Sequence, residues 1–178
     1  MFHPIKHFCT ITRHRHIVMA YCFKAGIGWQ GLFHDLSKYS PAEFISGAKY
    51  YQGDKSPNVE ERHIFGYSAA WLHHQGRNKH HFEYWFDYIP DKVGRQPIQM
   101  PRKYVVEMFC DRVAACRVYL KEKYDNTSPL SYFSNHLESY TMHPETIREL
   151  ESLLKLLNDS GERETFKYIR EVFLRKKE

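Results

Sequence analysis

An all-α fold, a single helical domain over residues 1–178, is what this sequence predicts, on three observations. Apolar residues recur every three or four positions, no segment alternates with the period of two that a half-buried strand requires, and glycine, proline and asparagine fall at helix-length intervals. The first helix covers about residues 8–25 and stops at Gly26-Ile27-Gly28. A second covers about residues 29–38. Ser40-Pro41 starts a third, with Glu43 placed three residues after Ser40 as in a capping box, and it ends near Gly53. Asn58 caps a fourth helix that reaches Gln75 and is terminated by Gly76. A histidine-rich connection and the aromatic stretch 82–88 lead into a loop over 90–101. The longest helix runs over about residues 102–123. Helices near 130–139, 144–157 and 162–175 complete the chain, the last two parted by Asn158-Asp159-Ser160-Gly161. Neither a repeat nor a low-complexity linker divides it.

Composition narrows the class. At 178 residues the chain can bury a core without disulfide staples. Hydrophobic content of 42% excludes disorder, in spite of a mean hydropathy of −0.63. A formal charge of +5 suits an anionic ligand such as a phosphate ester and does not demand nucleic acid. The one basic run, Arg175-Lys176-Lys177, reads as a solvated tail. Cys9, Cys22, Cys110 and Cys116 form no Cys-x-x-Cys pair and read as reduced core residues of a cytoplasmic protein. No segment approaches the ~18 apolar residues of a membrane span. No apolar run follows the N-terminal charges as in a signal peptide.

Histidine is the outlier, and its placement carries the chemistry. Leu32-Phe33-His34-Asp35 closes an apolar run with an imidazole and a carboxylate side by side, which together can hold a divalent ion. On the first helix Ile11, Val18, Tyr21 and Ala25 fall within about 60° of His14, so His14 belongs to the inward stripe; His16 is the alternative. His14 lies about twice as far from the Gly26 turn as His34. A straight hairpin would therefore leave a gap of ~8–10 Å, and the helices must cross steeply or the first must end early. His74 continues the stripe of Tyr67, Ala70 and Trp71, whereas His73 points about 100° away. His63 shares the face of His74 but sits ~16 Å along it, too far to join one ion. Asp111 shares its face with Tyr104, Met108, Ala115 and Val118, so its carboxylate needs a cation or a strong donor. Glu107, one turn earlier, can support a ligand from behind. Lys38 and Arg77 are the candidates for contacting a substrate phosphate. The spacing Gly26-x-Gly28-x-x-Gly31 is not a dinucleotide fingerprint, because it follows a helix rather than a strand.

The ordered set of His14, His34-Asp35, the histidines between His73 and His81, and Asp111 resembles the HD superfamily of metal-dependent phosphohydrolases. Tyr21-Cys22-Phe23-Lys24-Ala25-Gly26, His34-Asp35-Leu36-Ser37-Lys38-Tyr39-Ser40-Pro41 and Asn78-Lys79-His80-His81-Phe82-Glu83-Tyr84-Trp85 further resemble an uncharacterised bacterial and phage family of HD-like proteins of the DUF5662 type. The superfamily resemblance implies that His14, His34, Asp35 and Asp111 hold one divalent transition metal ion. It implies that His74, with His80 or His81, holds a second where one is present. Mn, Fe, Co, Ni and Zn all suit mixed nitrogen and oxygen ligands. The implied reaction is hydrolysis of a small phosphate ester, a nucleotide foremost, with no membrane partner and the oligomeric state left open. The alternatives are a di-iron oxygenase on the same scaffold and a non-catalytic module that binds nucleotides or nucleic acid.

Overall fold

Helix α1, Pro4–Ala25, forms because proline starts it and an inward stripe runs its whole length. His7, Ile11, His14, Val18, Tyr21, Cys22 and Ala25 are all buried on that stripe. Gly26 ends it in the left-handed region, at φ 84°, and turns the chain back. A computed structural model describes this chain over residues 2–176; Lys177 of the terminal basic run lies outside the described residues.

The remaining elements are α2 (Gly28–Phe33), α3 (Pro41–Lys49), α4 (Pro57–Phe65), α5 (Ala69–Gln75), β1 (Phe86–Tyr88), β2 (Arg95–Pro97), α6 (Arg102–Leu120), α7 (Ser128–Asn135) and α8 (Pro144–Glu171). The protein is mostly helical, as its periodicity predicts. Its hydrophobic core lies where α1, α6 and α8 meet. Leu150, Leu153, Leu154 and Leu157 of α8 are fully buried there, each stabilising the fold by roughly 1.5–3 kcal/mol. No helix among the described residues is long and apolar enough to cross a membrane. Cys22 and Cys110 are buried in this core, but Cys9 is exposed, which corrects its reading as a core residue.

Several boundaries differ from those expected, each for a local reason. The second helix ends at Phe33 rather than Lys38. His34 is extended at ψ 128° and Asp35 is left-handed at φ 55°, a conformation short polar side chains tolerate. A 3₁₀ turn over Leu36–Tyr39 follows. The first helix does not end early; the second does, and its exit brings Asp35 Oδ2 to 3.8 Å from His14 Nε2. That approach is reinforced by Gly31, where a Cβ would lie 2.6 Å from the Cβ of Cys22; only glycine lets α2 approach α1 that closely.

The third helix stops at Lys49 instead of reaching Gly53, and Ser40 makes no side-chain cap. The fourth predicted helix is two helices. Gly66, at φ 78°, ends α4, and Ser68 opens α5 by accepting from the Trp71 N–H at 3.0 Å. Ser56, not Asn58, caps α4. His63 is thereby exposed rather than set in a continuous face with His74. The expected loop over 90–101 contains half of a two-stranded antiparallel hairpin, in which Phe86 pairs with Pro97 and Tyr88 with Arg95. Three-residue strands are too short for alternation to register in the sequence. The last two predicted helices run as one element broken at Gly161, where φ is 75° and ψ 176°.

Candidate metal centre

Four pieces of chain converge on the inner side of the α1–α6 pair. They are α1 itself, the sharp turn after α2, the end of α5 with its following loop, and α6. Arg15 of α1 holds the turn from outside, Nε donating to the His34 carbonyl at 3.1 Å and Nη2 to that of Leu32. Asn78 fixes the end of α5, donating to the His74 carbonyl and to Ser37 Oγ, both at 2.8 Å.

These elements gather two sets of ligand atoms that share one carboxylate. His14, His34, Asp35 and Asp111 form the first, and Asp35, His74, His80 and His81 form the second; within each, the atoms lie within 4.8 Å of one another. In the first set His34 Nε2 is 3.3 Å from Asp35 Oδ2 and 3.5 Å from Asp111 Oδ1. His14 Nε2 is 2.9 Å from Asp111 Oδ1 and 3.8 Å from Asp35 Oδ2. In the second, His74 Nε2 and His80 Nε2 are 3.3 and 3.5 Å from Asp35 Oδ1. Ligands bonded to one ion at ~2.1 Å and separated by 90–109° stand ~3.0–3.4 Å apart, close to these spacings.

The atoms are also unsatisfied. His34 Nε2, both oxygens of Asp35, His74 Nε2, His80 Nε2 and His81 Nε2 are buried without a hydrogen-bond partner among the described residues. Native interiors leave few such groups, and Lys38, ion-paired at Asp35 Oδ2, reaches one of the six. Each set could hold a divalent ion, which its nitrogen and oxygen donors suit.

The opposite nitrogens of these rings are held from behind. Glu107 Oε1 accepts from His34 Nδ1 at 3.0 Å and lies 3.3 Å from His80 Nδ1, while Gln30 Nε2 donates to its Oε2 at 2.7 Å. His34, His80 and Glu107 also stand close enough to be a third ligand group, which shares His34 with the first set and His80 with the second. Glu43 accepts from His74 Nδ1 through one oxygen and from His73 Nδ1 through the other, each at 2.7 Å. Such carboxylate–imidazole pairs fix the tautomer that leaves Nε2 free to bind a metal.

Charge is distributed accordingly. Burial raises the cost of the Asp35 charge, but His34, Lys38 and His74 hold its carboxyl well below the usual carboxylate range. Burial works against a charged Asp111 as well, and the hydrogen bonds to His14 and His34 keep it ionised. Burial, reinforced by His80 and His74, pushes His81 well below the imidazole range, so that ring is neutral. Burial also lowers His14, outweighing its bond to Asp111. His34 is the reverse case: burial opposes its charge, yet Asp35, Asp111 and Glu107 lift it well above the imidazole range.

Of the expected site residues, the structure brings together His14, His34, Asp35, His74, His80, His81 and Asp111. His16 is exposed and lines a surface cavity of about 860 Å³ with Arg13 and Arg117 instead. Lys38 lies at the cluster and Arg77 does not. Lys38 Nζ sits 2.6 Å from Asp35 Oδ2 as an ion pair. Arg77 is exposed, donates to the His73 carbonyl at 3.2 Å, and is not brought to the cluster. His73 is not an inert outward residue either, since it shares Glu43 with His74.

Glu43 is the residue that sequence reasoning placed wrongly. It reads as half of a capping box, but it is buried on the face of Gly47 and Ala48. A carboxylate on an inward stripe of small residues was the available signal. Glu83, two residues beyond His81, is a second omission: its Oε2 is buried with no partner among the described residues, and burial raises its carboxyl above the usual range.

Fold and site together define a helical protein built around a buried cluster of imidazoles and carboxylates arranged as two sets on one aspartate. The chain belongs to a family of unknown function, DUF5662, whose model matches residues 3–156. No curated protein and no solved structure matches it.

Proposed function

We propose that this protein is a metal-dependent phosphohydrolase of the HD type acting on a small phosphate ester, a nucleotide foremost. The observation that carries the reading is Asp35, whose two buried oxygens, one of them ion-paired with Lys38, face two separate groups of imidazoles. Divalent ions bound there would polarise a phosphoryl oxygen and lower the pKa of a bound water. The chain's own residues supply the rest. Glu43 and Glu107 keep the Nε2 atoms of His74, His34 and His80 directed inward. The side chains of His34 and Asp35 are at most 1% exposed, whereas those of Asp111 and Lys38 are 19% and 30% exposed. A substrate therefore approaches from the Asp111–Lys38 side, where the ammonium meets its phosphate charge. Reduced cysteines fit a cytoplasmic enzyme.

The experiment is phosphate release from a panel of nucleotides and sugar phosphates, using metal-reconstituted protein and an Asp35→Ala control. Release that requires both the metal and Asp35 is expected; none across the panel with two ions bound contradicts the hydrolase reading. The nitrogen-rich second set favours one other reading, a di-iron oxygenase, for which two irons per chain and visible absorbance after aerobic purification would be the sign.

A further inference from the structure

The two ligand sets are built unequally, and one side chain makes the difference. The second set offers three imidazoles and one carboxylate oxygen, while the first offers two of each. Lys38 touches only one side of this pair: its Nζ contacts Asp35 Oδ2, the oxygen facing His14 and His34. An ion bonded to that oxygen at ~2.1 Å would lie within about 4.7 Å of the ammonium. Two cations that close repel strongly where little water screens them. Conversely, the ammonium compensates a buried carboxylate that would otherwise be costly. The Lys38 side chain is 30% exposed, so it has a path to solvent if displaced. The His74 and Asp35 side chains, at 3% and 1%, have none.

We propose that Lys38 is a built-in competitor for the metal at the His14–His34–Asp111 half of the centre. The His74–His80–His81 half loads first and keeps its ion. The second ion enters only as Lys38 leaves Asp35, which makes that ion the exchangeable one. The displaced ammonium, tethered to the same turn, then stands beside any phosphate bound to the loaded centre. This inference rests on the two-ion reading above and concerns its order of assembly.

Titration of chelator-stripped, full-length protein with Zn²⁺, followed by equilibrium dialysis and metal counting, tests it. Wild type is expected to bind one ion tightly and a second at least about tenfold more weakly. Lys38→Met should tighten the second step by about tenfold or more and leave the first unchanged, while Lys38→Arg, which keeps the charge, should match wild type. His81→Ala should remove the tight step and His14→Ala the weak one, a pattern that holds whether or not the Lys38→Met chain folds. Equal steps in wild type, a tight step lost with His14→Ala, or a folded Lys38→Met protein with an unchanged second step each overturn the order while leaving the centre standing. Zinc uptake indifferent to Asp35→Ala overturns the centre itself, and this inference with it.

Discussion

Helices α1 and α6 each serve two environments that obey opposite rules. Val18, Cys22 and Ala25 of α1 and Val106, Phe109 and Val113 of α6 lie in the apolar core against α8. That region is stabilised by area removed from water and needs nothing from solution. His14 of α1 and Glu107 and Asp111 of α6 face the polar cluster, where buried nitrogens and oxygens point at one another. Such a cluster costs stability until partners complete it. The contrast teaches that the apolar half folds these helices and the polar half uses the fold, so the two should respond to different changes.

The largest expected effect is on the polar side. Asp35→Ala removes the one carboxylate common to both sets, so metal content should fall from two ions to none with helicity retained, as elemental analysis and circular dichroism would report. Full metal content in that variant would break the comparison. On the apolar side, Leu153→Ala should cost ~2–5 kcal/mol in denaturant unfolding and leave metal per folded chain unchanged. Loss of metal there would mean that the halves are not separable.

Smaller effects sharpen the boundary between them. Glu43→Gln leaves every ligand in place but loosens His74, and should weaken metal binding by ~10–100-fold. His73→Ala, acting only through Glu43, should do less, though not nothing. The least effect belongs to Glu162, which accepts from Tyr21 at 2.8 Å and Arg117 at 2.5 Å and ties α8, just after its break at Gly161, to α1 and α6. Burial opposes its charge, yet the Tyr21 and Arg117 bonds hold its carboxyl below the ordinary 4.5. The unfolded chain thus keeps this proton to higher pH than the native one. The stabilisation is present above about pH 4.5 and is lost as pH falls through the lower native value. Glu162→Gln should cost ~1 kcal/mol at neutral pH and flatten the acid limb of the stability curve, with metal content untouched.

Periodicity made most of this site legible in the sequence. His14, His74 and Asp111 each lie on an apolar stripe, and a helical repeat of 3.6 is enough to aim them inward. Four features escape for physical reasons. His34 and Asp35 reach the centre by leaving their helix, and a left-handed aspartate is a tertiary outcome that no spacing encodes. Glu43 satisfied a local capping pattern so well that its buried partnership with two histidines was hidden. The break between α4 and α5 was missed because the apolar spacing continues past Gly66 while the backbone does not. Arg77 has a long, flexible side chain, so its position along the chain says little about where its charge ends.

Anomalous scattering from crystals saturated with Mn²⁺ tests the central claim most directly, since it locates ions without reference to turnover. The account predicts two peaks roughly 3.5–4 Å apart, one beside each oxygen of Asp35, the first among His14, His34 and Asp111 and the second among His74, His80 and His81. Saturated crystals with no peak at Asp35, its carboxylate held by Lys38 alone, would contradict it.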